Sequence, residues 1–306
     1  MPTRFSLAST LRRLEHPYVL LTLSSLFWSG NMVVGRAVHT TVPPFMLAFW
    51  RWAIAFALTL PFALPHLRSQ WPLLKRNWFA TVALGVVGVG CYNTFAYLAL
   101  RHTGATNALL LNSFVPIATI ALSWLLLRKT LRRIEWIGVL VSLVGVTVIV
   151  ARGDAATLAG LKLNVGDVWM LLAVFTWALY TIGLHWRPEG VHPMLLLAAF
   201  TLIGVVCLLP AYAWEIHSGL VIELSPKALA AIVYVGVLPG FAGYVFYNRA
   251  VGEVGANKAS LFIHLTPVFG TLLSAVFLDE IPMLYHYAGI ALIFSGIFLT
   301  TSRRLL

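Results

Sequence analysis

Charge is what this sequence has least of. Only 10% of its 306 residues are Asp, Glu, Lys or Arg, against about 25% in an ordinary soluble domain. A chain this poor in polar groups cannot cover a globular surface with them, so lipid must be the solvent for most of it. Acid is scarcer still, with 10 Asp and Glu facing 21 Lys and Arg. None of the acids sits near the middle of an apolar block, which leaves no obvious carboxylate proton carrier at membrane depth. Cysteine is limited to Cys91 and Cys207, both inside apolar blocks; they read as small buried hydrophobes and exclude a disulfide framework. The chain has no HExxH-like spacing, no GxSxG, no filter-like segment and no charged ring. Those absences argue against an intramembrane enzyme, a metal site and a channel, and no cofactor is expected.

What remains is apolar, 60% of the residues, and it comes in blocks of about twenty, the length of a helix crossing roughly 30 Å of hydrocarbon. Polar punctuation places ten of them near 17–38, 44–65, 78–100, 105–127, 134–151, 166–186, 192–214, 227–248, 255–277 and 283–301. The fold class is therefore an all-α integral membrane protein, with the lipid bilayer as its principal partner. The first block follows Arg4, Arg12 and Arg13 with no small-residue cleavage site at its end, so it reads as an uncleaved span. The net charge of +11 sits in short runs beside the blocks, such as Arg128-Lys129 and Arg132-Arg133. That pattern suits topology and anionic lipid heads, not nucleic acid. Alternate loops carry fifteen Lys and Arg on one side and five on the other, with Arg51 inside a span. By the positive-inside rule both chain ends are cytoplasmic.

The chain also repeats itself. A shift of 151 residues lays Gly85 on Gly236, Phe95 on Phe246, Gly104-Ala105 on Gly255-Ala256, Pro116 on Pro267, Gly138 on Gly289 and Gly145 on Gly296. A shift of 149 lays Trp28 on Trp177, Pro44 on Pro193 and Pro61 on Pro210. Matched Gly, Pro and Trp are hard to obtain by accident in a Leu/Val/Ala-rich chain. The reading is a five-helix unit at 1–151, a linker at 152–165 and a second unit at 166–306. Five is odd, so the second copy enters from the opposite face. Inverted repeats of this kind are a mark of secondary transporters, in which the two halves exchange roles between inward and outward access.

Helical rise puts Trp28 roughly 16 Å into the membrane, and Trp177, entering from the other face, at about the same depth. Three residues on, the same faces carry Asn31 and Tyr180. An aromatic beside a hydrogen-bonding group, repeated about a pseudo-axis, can cradle an amphipathic solute; the alternative is that the two tryptophans pack helices. Pro116 and Pro267 lie near mid-span, free the carbonyls of Asn112 and Ile263 and kink their helices. Paired interruptions of this kind point to a transport site, with Asn112 and His264 as its polar candidates. For His264 the alternative is a neutral ring hydrogen-bonded between helices. Gly236, Gly240, Gly243 and Tyr247 form a small-residue stripe echoed by Gly85, Gly88 and Tyr92; such stripes pack closely and can slide. Tyr244, Asn93 and Asn248 are further cavity candidates. Arg51 either snorkels to the interface or pairs inside the bundle, and Lys258 is either an interfacial anchor or a cavity residue.

The run Gly243-Tyr244 through Asn248-Arg249-Ala250, followed by Gly255-Ala256, Pro267 and Asp279-Glu280, resembles the drug/metabolite transporter superfamily, and within it the ten-span EamA-type members. Arg51, Gly289 and Gly296 fit the same pattern. The first half departs from it, with Arg128-Lys129 where such repeats often carry an acid. The chain looks most similar to YddG-type exporters of aromatic and other amino acids. That resemblance implies a bacterial inner-membrane exporter of amino acids with a central cavity built by both halves. Alternating access comes from the inverted repeat, and a monomer with the cavity between its own halves suffices. The aromatic, nearly uncharged candidate lining fits a neutral or zwitterionic metabolite; the alternative is a proton-coupled drug or metabolite efflux carrier. The site expected from residues and resemblance together is Trp28, Asn31, Tyr92, Asn112, Trp177, Tyr180, Tyr244 and His264, with Pro116, Pro267, Gly240 and Gly243 as hinges.

Overall fold

The computed structural model describes residues 15–38, 40–103, 105–160, 164–277 and 282–302. All regular structure among the described residues is helical, arranged as ten crossings. α1 is Pro17–Val38 and α2 is Pro44–Arg76. α3 has three parts, Trp78–Gly85, a wide π-type turn at Val86–Cys91, and Tyr92–His102. α4 runs Ala105–Asn112 and Val115–Leu127, and α5 is Arg133–Val150. A short helix at Ala155–Ala159 leads into the second half. There α6 is Val165–Gly183 and α7 is Pro193–His217. α8 is Pro226–Val235, a second π-type stretch at Gly236–Ala242, and Gly243–Val254. α9 is Ala256–Leu261, a 3₁₀ turn at Phe262–His264, and Leu265–Phe277, and α10 is Leu284–Thr301.

Nine described helices are long and apolar enough to cross a membrane. The remaining crossing, α9, carries Asn257, Lys258 and His264 and changes its winding midway, so it satisfies its backbone against neighbours instead of alone. α2 runs eleven residues beyond the block read from the sequence, to Arg76, through Pro61, Pro65 and Pro72. Each proline removes one ladder bond, and α7 packed along the helix keeps its course. Large apolar side chains such as Val144, Phe175, Val206 and Phe298 are about half exposed, as expected of a surface solvated by acyl chains. Cys207 belongs to that exposed surface and Cys91 is partly buried; both are free, and the buried setting read for Cys207 is corrected to a peripheral one.

The two halves are interleaved. α1 packs against α8 and α9 of the other half, and its counterpart α6 packs against α3 and α4. α2 pairs with α7, and α5 with α10. The α5–α10 pair needs its glycines: a Cβ on Gly145 would stand 2.7 Å from the Gly289 carbonyl, and one on Gly289 would stand 2.7 Å from the Gly145 carbonyl. The pair equivalent to it under the 151-residue shift, Gly138 with Gly296, meets in the same way, as a twofold relation between the halves requires. Both contacts let the backbones touch where lipid offers no hydrophobic drive. The α2–α7 pair is capped reciprocally as well. At one end the buried Glu215 accepts from the amides of Phe45 and Met46 at 3.1 and 2.8 Å. At the other, Gln70 accepts from the His192 amide at 2.7 Å while His66 stacks on His192 at 4.0 Å.

Candidate functional site

α1 and α6 bring Trp28 and Trp177 together edge to face, with ring centroids 5.2 Å apart and planes at 87°. Around them close Tyr92, 4.9 Å from Trp177, Tyr180 at 5.5 Å and Tyr244 at 5.5 Å. Tyr247 lies 5.2 Å from Trp28 and 5.3 Å from Trp177. Five of the residues read from the sequence thus form one aromatic cluster contributed by α1, α3, α6 and α8. Such contacts are each worth about 0.5–1.5 kcal/mol beyond area. Where the resemblance implied a central cavity, the rings here fill the space between the halves: Trp177, Tyr180, Tyr244 and Tyr247 are all buried.

The remaining predicted residues are placed around this cluster. The Tyr92 hydroxyl donates to Asn112 at 3.3 Å. Asn31, one turn beyond Trp28, keeps a buried amide oxygen without a hydrogen-bond partner. His264 is held between helices, with Nδ1 2.7 Å from the Ser142 hydroxyl and Nε2 2.8 Å from the Ser113 carbonyl. It borders a cavity of about 10 Å³ shared with Asn112, Ser113 and Pro267, room for about one water. Pro116 opens the second part of α4, and Pro267 lies in the first turn after the 3₁₀ segment of α9. Side chains engage carbonyls next to the two expected ones: Ser25 donates to Phe262, beside Ile263, and His264 Nε2 meets Ser113, beside Asn112.

A second pair of interruptions carries more of the geometry. The π-type stretches Val86–Cys91 and Gly236–Ala242 fall at equivalent positions of the two halves. Widening a turn releases backbone carbonyls from the ladder, and such turns gather at functional sites. Gly88 and Pro239 are equivalent under the 151-residue shift. The Gly88 carbonyl accepts from the Tyr244 hydroxyl at 2.9 Å. The Pro239 carbonyl accepts from Trp28 Nε1 at 3.1 Å and from Arg51 Nη2 at 3.3 Å. Gly240 and Gly243 serve close approach: a Cβ would stand 3.0 Å from the Val235 carbonyl in the first case and 3.0 Å from Trp28 Nε1 in the second.

Arg51 pairs inside the bundle. It is 3% exposed, donates to Asn93 Oδ1 at 3.1 Å and holds its guanidinium 4.9 Å from the Trp52 ring centroid. Trp52 is fully buried and packs on Tyr244 at 4.8 Å. Sequence reasoning passed over Trp52 because its repeat counterpart is Thr201, and it passed over Pro239 because the counterpart is Gly88; a filter built on matched residues discards features that only one half carries. Lys258 pairs with Glu135 at 3.7 Å, tying α9 to α5. Among the described residues no group of three His, Cys, Asp or Glu could hold a metal ion.

The sequence profile of the EamA-like transporter family matches residues 17–151 and again 164–302. An uncharacterized transporter of Archaeoglobus fulgidus is 28% identical over 299 residues, covering 94% of this chain and 98% of that one. The uncharacterized transporter YyaM of Bacillus subtilis is 23% identical, covering 84% of each. A solved crystal structure superposes with a TM-score of 0.73 at 22% identity, covering 94% of this chain and 98% of that one; this likeness concerns the fold.

Proposed function

We propose that this chain, which belongs to the EamA-like transporter family, carries small zwitterionic metabolites, amino acids with apolar or aromatic side chains foremost, across a bacterial inner membrane by alternating access. It is a multi-pass membrane protein, and its curated relatives are named transporters, which supports a carrier over an intramembrane enzyme. The carrying observation is the meeting of Trp28 and Trp177 at equivalent mid-helix positions of interleaved halves. Two indoles and four tyrosines present apolar faces with polar edges, a lining suited to a neutral ring or branched side chain. The same lining suits a sugar phosphate poorly. In this reading both termini are cytoplasmic, the protein works as a monomer, and export follows the solute's own gradient.

Counterflow in proteoliposomes tests it. Vesicles preloaded with one of a panel of neutral amino acids should accumulate a radiolabelled partner saturably, without a pH gradient, and only within the apolar and aromatic set. The double substitution Trp28→Ala and Trp177→Ala should abolish that accumulation. Uptake unaffected by the double substitution would move the site away from the cluster.

A further inference from the structure

The polar groups beside the aromatic cluster are unbalanced in a specific sense. Arg51 Nε, Trp52 Nε1 and Asn93 Nδ2 are all buried and all lack a hydrogen-bond acceptor. Only two of the five guanidinium N–H groups of Arg51 are engaged, by Asn93 Oδ1 and the Pro239 carbonyl. The orientation of Asn93 is fixed by this contact, since a guanidinium can only donate. The groups in direct contact with the Arg51 guanidinium are formally neutral, an amide, a backbone carbonyl and an indole ring. Among the described residues no carboxylate pairs with it.

Orphan buried donors are rare, because each keeps the full penalty of its desolvation. A buried charge without its counter-ion carries a larger penalty still at membrane depth. Three unsatisfied donors, one on the cation and two on residues in contact with it, define the chemistry of what is missing: it accepts only, it carries negative charge, and it offers several lone pairs. A water molecule leaves the charge uncompensated. An ionised carboxylate meets all three requirements, with two oxygens and about four lone-pair sites. The position also fits a head group, because Trp52 joins Arg51 to the cluster through Tyr244. A carboxylate seated there would place the rest of its molecule against the aromatic rings.

We propose that Arg51, Trp52 and Asn93 form the carboxylate-binding subsite of the transported solute. This rests on the carrier reading above and adds the group the site recognises. In the open states the solute's carboxylate satisfies the three donors. In the empty closed state they stay unsatisfied, which raises the energy of that state and favours crossing with cargo.

The test is competition against radiolabelled L-phenylalanine on the purified full chain, alongside thermal unfolding. L-phenylalanine and 3-phenylpropionate should both bind, whereas L-phenylalaninamide, lacking the carboxylate, should bind roughly 10–100-fold more weakly, the worth of a charge-assisted hydrogen bond. Asn93→Asp supplies an internal counter-ion. It should leave the unfolding temperature at or above that of the parent and abolish discrimination between acid and amide. Should that variant fail to fold, Arg51→Gln reads the same loss of discrimination. Should no amino acid bind while benzoate stabilises the parent and not Asn93→Asp, the subsite stands and the amino-acid reading fails. Amide binding as tight as acid binding, discrimination unchanged in the variants, or stabilisation by chloride equal to that by benzoate would each overturn the proposal.

Discussion

At the scale of single residues the two tryptophans are equivalent by sequence and unequal by contact. Trp28 donates to the released Pro239 carbonyl, whereas Trp177 Nε1 has no acceptor and the equivalent carbonyl, Gly88, is taken by the Tyr244 hydroxyl. Trp28→Phe should therefore lose one interhelical hydrogen bond, worth on average about 0.6 kcal/mol and at most ~1.7 in a membrane. Trp177→Phe should lose no bond to a released carbonyl in this state. Thermal unfolding of the two variants should show the larger drop for Trp28→Phe, while initial counterflow rates fall in both; equal drops would mean that the asymmetry is absent in solution. The tryptophans themselves were legible because each marks the other across the repeat. Arg51 was legible as a buried charge, but its partners were not: Asn93 lies 42 positions away and Pro239 lies 188 away, and nothing local in the sequence announces either contact.

At the scale of elements, ten crossings follow from apolar block length alone, because a backbone in lipid has few ways to satisfy itself. Their ends and their winding do not. The π-type stretches have no periodic signature, since one is built around Gly88 and the other around Pro239, and only the packing of α1 and α2 onto α8 shows what the released carbonyls bind. The start of α7, the first residue of the block at 192–214, carries a titratable contact that the block pattern does not announce. His192 Nδ1 accepts from the Met194 amide at 3.3 Å, and its ring stacks on His66. Burial first, and then the neighbouring His66, hold the His192 pKa below its ordinary 6.5. A depressed histidine is neutral in the folded chain and gains its proton more readily when unfolded, so the contact is intact above pH 6.5 and is lost as pH falls below it. Protonation removes the acceptor from the helix start and sets a cation against the His66 ring. The protection of the Met194 and Leu195 amides against hydrogen exchange, relative to their intrinsic rates, should fall between pH 7 and pH 5. His66→Gln, which removes one cause of the depressed His192 pKa, should shift that fall to higher pH. A profile flat over this range would detach the pair from the stability of α7.

At the scale of the whole molecule the interleaving defines two units that each mix the halves: α1 with α8 and α9, and α6 with α3 and α4. Their contacts are unequal at the two ends. Near the end of α4, Leu122 joins Ala178 and Ile182 of α6 in a cluster against which Ala256 of α9 packs. The twofold counterpart, the first part of α4 against the last part of α9, shows no comparable packing among the described residues. Under the proposed alternating access, equivalent halves in an inequivalent arrangement should have a second arrangement of similar energy, in which the open end closes and the closed end opens. In the proposed orientation the closed end is cytoplasmic. The consequence can be tested in a chain whose native Cys91 and Cys207 are replaced by Ala. Leu122→Cys with Ala256→Cys should be joined in the resting protein by a short reducible thiol crosslinker, stopping counterflow until the link is reduced. The counterpart pair under the 151-residue shift, Leu273→Cys with Ala105→Cys, should crosslink slowly at rest and faster when solute is present on both sides. A counterpart pair that never crosslinks during exchange would mean that the halves do not trade places, and the inverted repeat would then be a feature of assembly and not of transport.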